Sequence, residues 1–150
     1  MTHLKYRTVL LRCARLLSDE YNELLLSHQL NYSLWQVLYL IQQRPGINSN
    51  EIAQELNVSK PSITKRVHQL IQLNLIEALD PQDKRHKPLC LNAQGHQVYQ
   101  QCSEIIDQHE QALLASFDAT ALKHSFETLK DLLEQLESRK HPTVLEATHE

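Results

Sequence analysis

Glycine is nearly missing from this chain, with two in 150 residues, while Leu, Gln, Glu and Ala are plentiful. Tight turns that need a freely rotating backbone are therefore few, and a mostly helical chain is expected. No run of about 18 apolar residues occurs, which excludes a helical membrane span. The opening MTHLKYRTVLLRCARLL lacks a long apolar core followed by a small-residue cleavage site, so no secretory leader is visible. The three cysteines, Cys13, Cys90 and Cys102, are an odd number without paired spacing and read as reduced thiols in a cytoplasmic protein. The nine histidines include no HxxxH pair, and no Cys/His cluster accompanies them. A nucleophile elbow, a phosphate loop and paired catalytic carboxylates are also lacking, so the sequence points to no enzyme, metal site or cofactor. A chain of this length can bury a core as one domain without disulfides.

A further absence is local. Residues 57–76, NVSKPSITKRVHQLIQLNLI, contain no Asp or Glu but carry Lys60, Lys65 and Arg66. From Leu56 to Pro88 there are six Lys/Arg against three acids; from Glu104 to the end there are ten acids against four Lys/Arg. The net charge of −3 argues against a protein that coats nucleic acid indiscriminately. Its segregation implies one basic working face on an otherwise acidic chain.

Apolar spacing divides the chain into six helices and a hairpin. A leucine-rich first helix spans about 4–27, and SLWQVLYLIQQ starts a second, with Ser33 and Gln36 in capping-box spacing. Pro45-Gly46 ends it, and Asn48 caps a short third helix with Glu51 expected to reach back. Ser59 caps a fourth, tolerating Pro61 in its first turn, and its inward stripe is expected to be Ile63, Val67, Leu70, Ile71 and Asn74. Asn74 stands where this helix should stop, since Asn tolerates the left-handed conformation of a helix end. LIEAL and KPLCLN read as two strands joined by the charged tip DPQDKRH. Asn92 caps a fifth helix to about Phe117, and Asp118 caps a sixth. There Leu122, Phe126, Leu129, Leu133 and Leu136 repeat at steps of four and three, a coiled-coil-like seam. The tail 141–150 is expected to fray.

A mainly α fold follows, a winged helix-turn-helix over about 33–92 within one domain of 1–150, with long helices at about 4–27 and 92–140 on either side. In such a unit the exposed face of the second helix enters the DNA major groove. Opposite the buried stripe lie Pro61, Lys65, His68, Gln69 and Gln72, with Ser62 and Thr64 on the flanks, groups suited to base edges and phosphates. Lys84, His86 and Lys87 add positive charge at the hairpin tip.

With EIAQELNVSKPSITKRVHQL and LIEALDPQDKRHKPLCLNAQG in this order, the chain resembles the MarR family of bacterial transcription regulators over roughly residues 5–140. The family's wing carries D-x-R and then L-T-x-x-G. Here they read Asp83-Lys84-Arg85 and Leu91-Asn92-Ala93-Gln94-Gly95, with Asn92 keeping the capping chemistry of the usual Thr. The resemblance implies an obligate homodimer on a palindromic operator, with Leu10 and the seam Leu122, Phe126, Leu129, Leu133 and Leu136 between protomers. It also implies groove contacts by Ser59, Lys60, Ser62, Thr64 and Lys65, and a minor-groove approach by Arg85. Glu77 and Ala78 stand where the family often has an Arg, which is expected to weaken the electrostatic part of binding.

The family's ligand site is a crevice between the dimer helices and the winged unit, where phenolic and aromatic carboxylate ligands recur. By location, Arg12, Arg15, Tyr32 and Trp35 are this chain's candidates for a small-molecule inducer, against a plainer reading of Tyr32 and Trp35 as core or interface residues. The expected function is thus a ligand-released repressor. Two alternatives stand beside it: a thiol-based sensor using Cys13, and a protein-interaction module that does not bind DNA. In the family's peroxide-sensing branch the reactive Cys would fall near Arg7, so a buried, inert Cys13 is the default expectation.

Overall fold

The computed structural model describes residues 4–140. The tail expected to fray lies outside the described residues. The helices are α1 (Tyr6–Leu25), α2 (Tyr32–Gln43), α3 (Ser49–Leu56), α4 (Lys60–Gln72), α5 (Ala93–Leu114) and α6 (Ala119–Lys140), with a 3-10 turn at Leu26–His28. Strands β1 (Ile76–Ala78) and β2 (Leu89–Leu91) pair antiparallel in the register Ile76 with Leu91, Glu77 with Cys90 and Ala78 with Leu89. Residues up to His109 form one compact unit and those from Glu110 a second. The whole winged helix-turn-helix lies in the first.

Capping chemistry sets most helix starts as expected. Asn48 accepts the Glu51 N–H at 2.9 Å, Asn92 accepts the Gly95 N–H at 2.8 Å, and Asp118 accepts the Ala121 N–H at 2.9 Å. Two details differ. The second helix is capped by Asn31, whose Oδ1 accepts the Leu34 N–H at 2.8 Å, and not by Ser33. Asn22 of α1 accepts the Tyr32 N–H at 2.8 Å, so a first-turn donor is satisfied before Ser33 is reached. Glu51 does not close a capping box either; its carboxylate meets Arg44 at 3.3 Å.

The core of the first unit takes Val37, Leu38 and Ile41 from α2, Ile52 from α3, and Ile63 and Leu70 from α4, all fully buried. The stripe of α4 ends sooner than its spacing suggests: Ile71 is 47% exposed and Asn74 is exposed too. On a helix turning roughly 100° per residue, Ile71 lies on the flank of the stripe marked by Ile63, Val67 and Leu70. Asn74, just past the helix, adopts the left-handed conformation expected of it, with φ 56°. The wing is anchored by the loop after α2. Leu89 N–H donates to Ile47 at 3.0 Å, and Gly46 N–H donates to Leu89 at 2.8 Å, so the loop adds a third ply to β2.

The start of α5 closes on the end of α4 through polar groups. Asn92 Nδ2 donates to the Asn74 carbonyl at 2.8 Å, Asn74 Nδ2 donates to Gln94 Oε1 at 3.2 Å, and Asn92 N–H donates to the Leu75 carbonyl at 3.1 Å. Gly95 is required here, because a Cβ would overlap the Leu75 carbonyl oxygen and stand 2.9 Å from its carbonyl carbon.

In the second unit, the seam residues of α6 are largely uncovered in the single chain: Phe126 is 69%, Leu129 39%, Leu133 53% and Leu136 50% exposed, while Leu122 is half-buried. Leu10 of α1, in the first unit, is half-buried as well.

Candidate nucleic-acid interface

Helix α4 owes its start to Ser59, whose Oγ accepts the Ser62 N–H at 3.4 Å and donates to Ser62 Oγ at 2.8 Å. Thr64 Oγ1 donates back to the Lys60 carbonyl at 3.0 Å. All three hydroxyls expected at the groove are thus engaged within the helix: those of Ser59 and Thr64 donate there and keep acceptor capacity, whereas Ser62 Oγ accepts and keeps its own O–H for an outside partner. Lys60, Lys65, His68 and Gln69 are exposed, and their side chains form no hydrogen bond or ion pair among the described residues.

The wing tip uses its acids locally. Asp80 Oδ1 accepts the Gln82 N–H and Asp83 Oδ1 accepts the His86 N–H, both at 3.0 Å. The Asp of the D-x-R pattern therefore shapes the turn that carries Arg85, instead of neutralising it. Lys84, Arg85, His86 and Lys87 are all exposed, and Lys87 takes a left-handed backbone with φ 51°. Arg66 lies at the buried border as its helical position suggests. One of its guanidinium nitrogens is buried without a hydrogen-bond partner. Among the described residues, none of the six cations of this segment (Lys60, Lys65, Arg66, Lys84, Arg85, Lys87) enters an ion pair, whereas Arg15, Arg44 and Lys130 elsewhere do.

The ligand candidates are not drawn into one group. Trp35 is buried and stacks on Tyr99 with centroids 5.1 Å apart. Tyr32 stacks on Tyr21 at 5.3 Å, and Tyr21 meets His109 edge-on at 5.5 Å. Arg15 pairs with Asp19 at 3.0 Å, and Arg12 is exposed. The sequence reading missed Tyr99, which faces Trp35, and His109, whose Nε2 lies 2.8 Å from Glu20 Oε2. No spacing rule relates positions so far apart.

The cysteines differ in kind. Cys102 is fully buried, and burial pushes its thiol up to about 11. Cys90 is raised by burial and then by the Glu77 carboxylate across the strand pair. Cys13 is exposed in the single chain, contrary to the expectation of a buried thiol, as are its neighbours Leu11, Arg12, Ala14, Arg15 and Leu16, more than a full turn of α1.

A Ser-capped helix free of acids, a two-stranded wing with a cationic tip and the supporting helix α3 define a winged helix-turn-helix transcription regulator. A sequence profile of the MarR family matches residues 28–86. The HTH-type transcriptional regulator YwoH of Bacillus subtilis is 30% identical over 116 residues, which cover 75% of this chain and 85% of that one. The chain belongs to the MarR family of transcriptional regulators, whose members are not enzymes. Solved structures share the fold. MepR of S. aureus in a DNA complex superposes with a TM-score of 0.77 at 18% identity, covering 91% of this chain and 99% of that one. A Staphylococcus aureus MarR in complex with salicylate and kanamycin gives 0.80 at 22% identity, covering 87% and 89%.

Proposed function

We propose that this chain is a homodimeric repressor that binds a palindromic operator through α4 and the wing and is released by a small aromatic or phenolic ligand. The observation that carries this reading is the set of six cations without ion pairs among the described residues on α4 and the wing tip, where Asp80 and Asp83 accept backbone N–H groups of the turn. Phosphates would supply the missing counter-charges. Lys65, His68 and Gln69 are the candidates for base edges, with Ser59, Lys60, Ser62 and Thr64 beside them and Lys84, Arg85 and Lys87 along the backbone and minor groove. The largely exposed seam Phe126, Leu129, Leu133 and Leu136, with Leu122 and Leu10, supports a second copy as partner.

The DNA complex of MepR and the salicylate complex of S. aureus MarR support the two partner classes by fold analogy. Among this chain's own candidates, Arg12 is exposed and suits the ligand role better than Trp35, which is stacked in the core, while Tyr32 stacks on Tyr21 and Arg15 pairs with Asp19. Release would work by linkage: a ligand that prefers a dimer with mis-spaced recognition helices weakens operator binding by its differential affinity. Three thiols without a disulfide, and no helix among the described residues long and apolar enough to cross a membrane, support action in the cytoplasm.

Fluorescence anisotropy tests this reading, with a duplex from upstream of the protein's own gene against a scrambled duplex at two salt concentrations. A preference of about 10³ or more that weakens with salt is the expected result. Equal, weak binding to every upstream duplex tried would instead favour the protein-interaction module.

A further inference from the structure

One side chain joins the end of α4 to the start of α5. Asn92 is half-buried, and each kind of polar group it carries is engaged. Its Oδ1 accepts the Gly95 N–H at 2.8 Å and its carbonyl accepts the His96 N–H at 2.9 Å, which starts α5. Its Nδ2 donates to the Asn74 carbonyl at 2.8 Å, and its backbone N–H donates to the Leu75 carbonyl at 3.1 Å, which holds the chain leaving α4. We propose that Asn92 is a positioning residue for operator binding. One carboxamide caps α5 and sets the direction in which α4 is presented to DNA, without touching DNA itself. The proposal rests on the repressor reading.

The end of α4 is built to be held there. Leu75 N–H donates to the Leu70 carbonyl at 3.1 Å and Asn74 N–H to the Ile71 carbonyl at 2.9 Å, a Schellman-type helix end with Asn74 as its left-handed residue. The Asn74 carbonyl is left outside the ladder of the helix, and Asn92 Nδ2 meets it. Against its other neighbours α4 packs through Ile63, Val67 and Leu70, apolar contacts that bury surface without fixing a direction. The second side-chain tie at this joint, Asn74 Nδ2 to Gln94 Oε1 at 3.2 Å, joins two exposed residues for which water competes. Direction at the joint is therefore set chiefly by Asn92. The Thr usual at this place in the family could cap α5, but its one hydroxyl oxygen would have to serve both helices, whereas the carboxamide serves them with two atoms.

The two kinds of DNA contact differ in how much they need that direction. Long Lys and Arg side chains reach phosphates from a loosely held helix, but short polar side chains read base edges only when the helix is placed for them. Loss of the tie should thus cost specific binding and spare sequence-independent binding.

The test uses the full chain with Asn92→Thr, which keeps a cap and adds no charge. Asn92→Asp, which keeps Oδ1 and the shape of the side chain, serves if Asn92→Thr does not fold. Both lose the Nδ2 donor. Anisotropy is read at a temperature where circular dichroism shows each variant folded. Operator affinity should fall about fivefold, roughly the worth of one hydrogen bond. For Asn92→Thr, affinity for a scrambled duplex and the salt slope should match the parent. Gln94→Ala cuts only the outer tie and should bind the operator as the parent does. A residue serving stability alone would leave the operator affinity of a folded variant unchanged. That outcome, an equal loss on the scrambled duplex in Asn92→Thr, or an equal loss of operator affinity in Gln94→Ala would each overturn the proposal.

A measurement without DNA separates the positioning role from the repressor reading. NMR residual dipolar couplings of the free chain should show the direction of α4 changed relative to the first turn of α5 in the Asn92 variants. Couplings equal to the parent's would overturn the proposal. Changed couplings in a protein whose parent chain binds no operator would overturn the repressor reading and leave the hold of Asn92 on α4 standing.

Discussion

Lys65 and Arg85 stand on separate elements, yet both are exposed cations that enter no ion pair among the described residues. Replacing either by Ala removes one charge and no internal contact. Each variant should keep its fold while operator binding weakens by about 1–3 kcal/mol, and anisotropy beside circular dichroism reads both outcomes. Gly95→Ala tests the opposite kind of residue. Alanine is favoured over glycine in a helix interior by about 1 kcal/mol, but here its Cβ meets the Leu75 backbone, which cannot rotate away. The collision dominates, and thermal unfolding should show a net loss of about 2 kcal/mol. Cys13 and Cys102 separate by exposure. With its thiol pushed up to about 11, Cys102 has little thiolate near pH 8, so a thiol reagent should label Cys13 fast and Cys102 only on unfolding. The same shift favours the folded state below the ordinary thiol value of 9.0 and loses that contribution as pH rises through about 11. Cys13→Ser should leave any peroxide response unaltered; a lost response would revive the thiol sensor.

At the level of elements, the sequence was legible wherever one residue type answers a local need. Asn48, Ser59, Asn92 and Asp118 each sit ahead of a helix and accept an N–H from its first turn, and Asn74 takes the left-handed backbone assigned to it. Ser33 misled because a cap is chosen in competition. Asn31 lies two residues earlier, and Asn22 of another helix already holds the first-turn N–H of Tyr32. Ile71 misled because flank positions are decided by what packs beside them, which periodicity does not contain. The exposed cations of α4 were legible as charge in an acid-free run, whereas the Trp35–Tyr99 stack and the Asn74–Gln94 tie join residues with no sequence signal between them. Ser59→Ala belongs to this scale. Losing the cap should cost about 1 kcal/mol, and because the same hydroxyl holds Ser62 it should also weaken operator binding. Normal binding by a destabilised variant would assign Ser59 to the fold alone.

For the whole molecule, the question is what covers α6. Leu129→Glu with Leu133→Glu places two charges on the exposed seam and should shift sedimentation from dimer toward monomer without unfolding the winged unit. An unchanged profile would place the interface elsewhere. The six cations of the α4 and wing segment lie on one helix and one loop tip, in a chain whose net charge is negative. On the proposed reading few phosphates are neutralised per protomer, so the sequence-independent grip on DNA would be modest and its dependence on salt shallow. Inside a cell, where wrong sites outnumber operators enormously, a regulator of this kind would linger little on random sequence. It would return to solution often and leave occupancy of its target to the side chains that read bases.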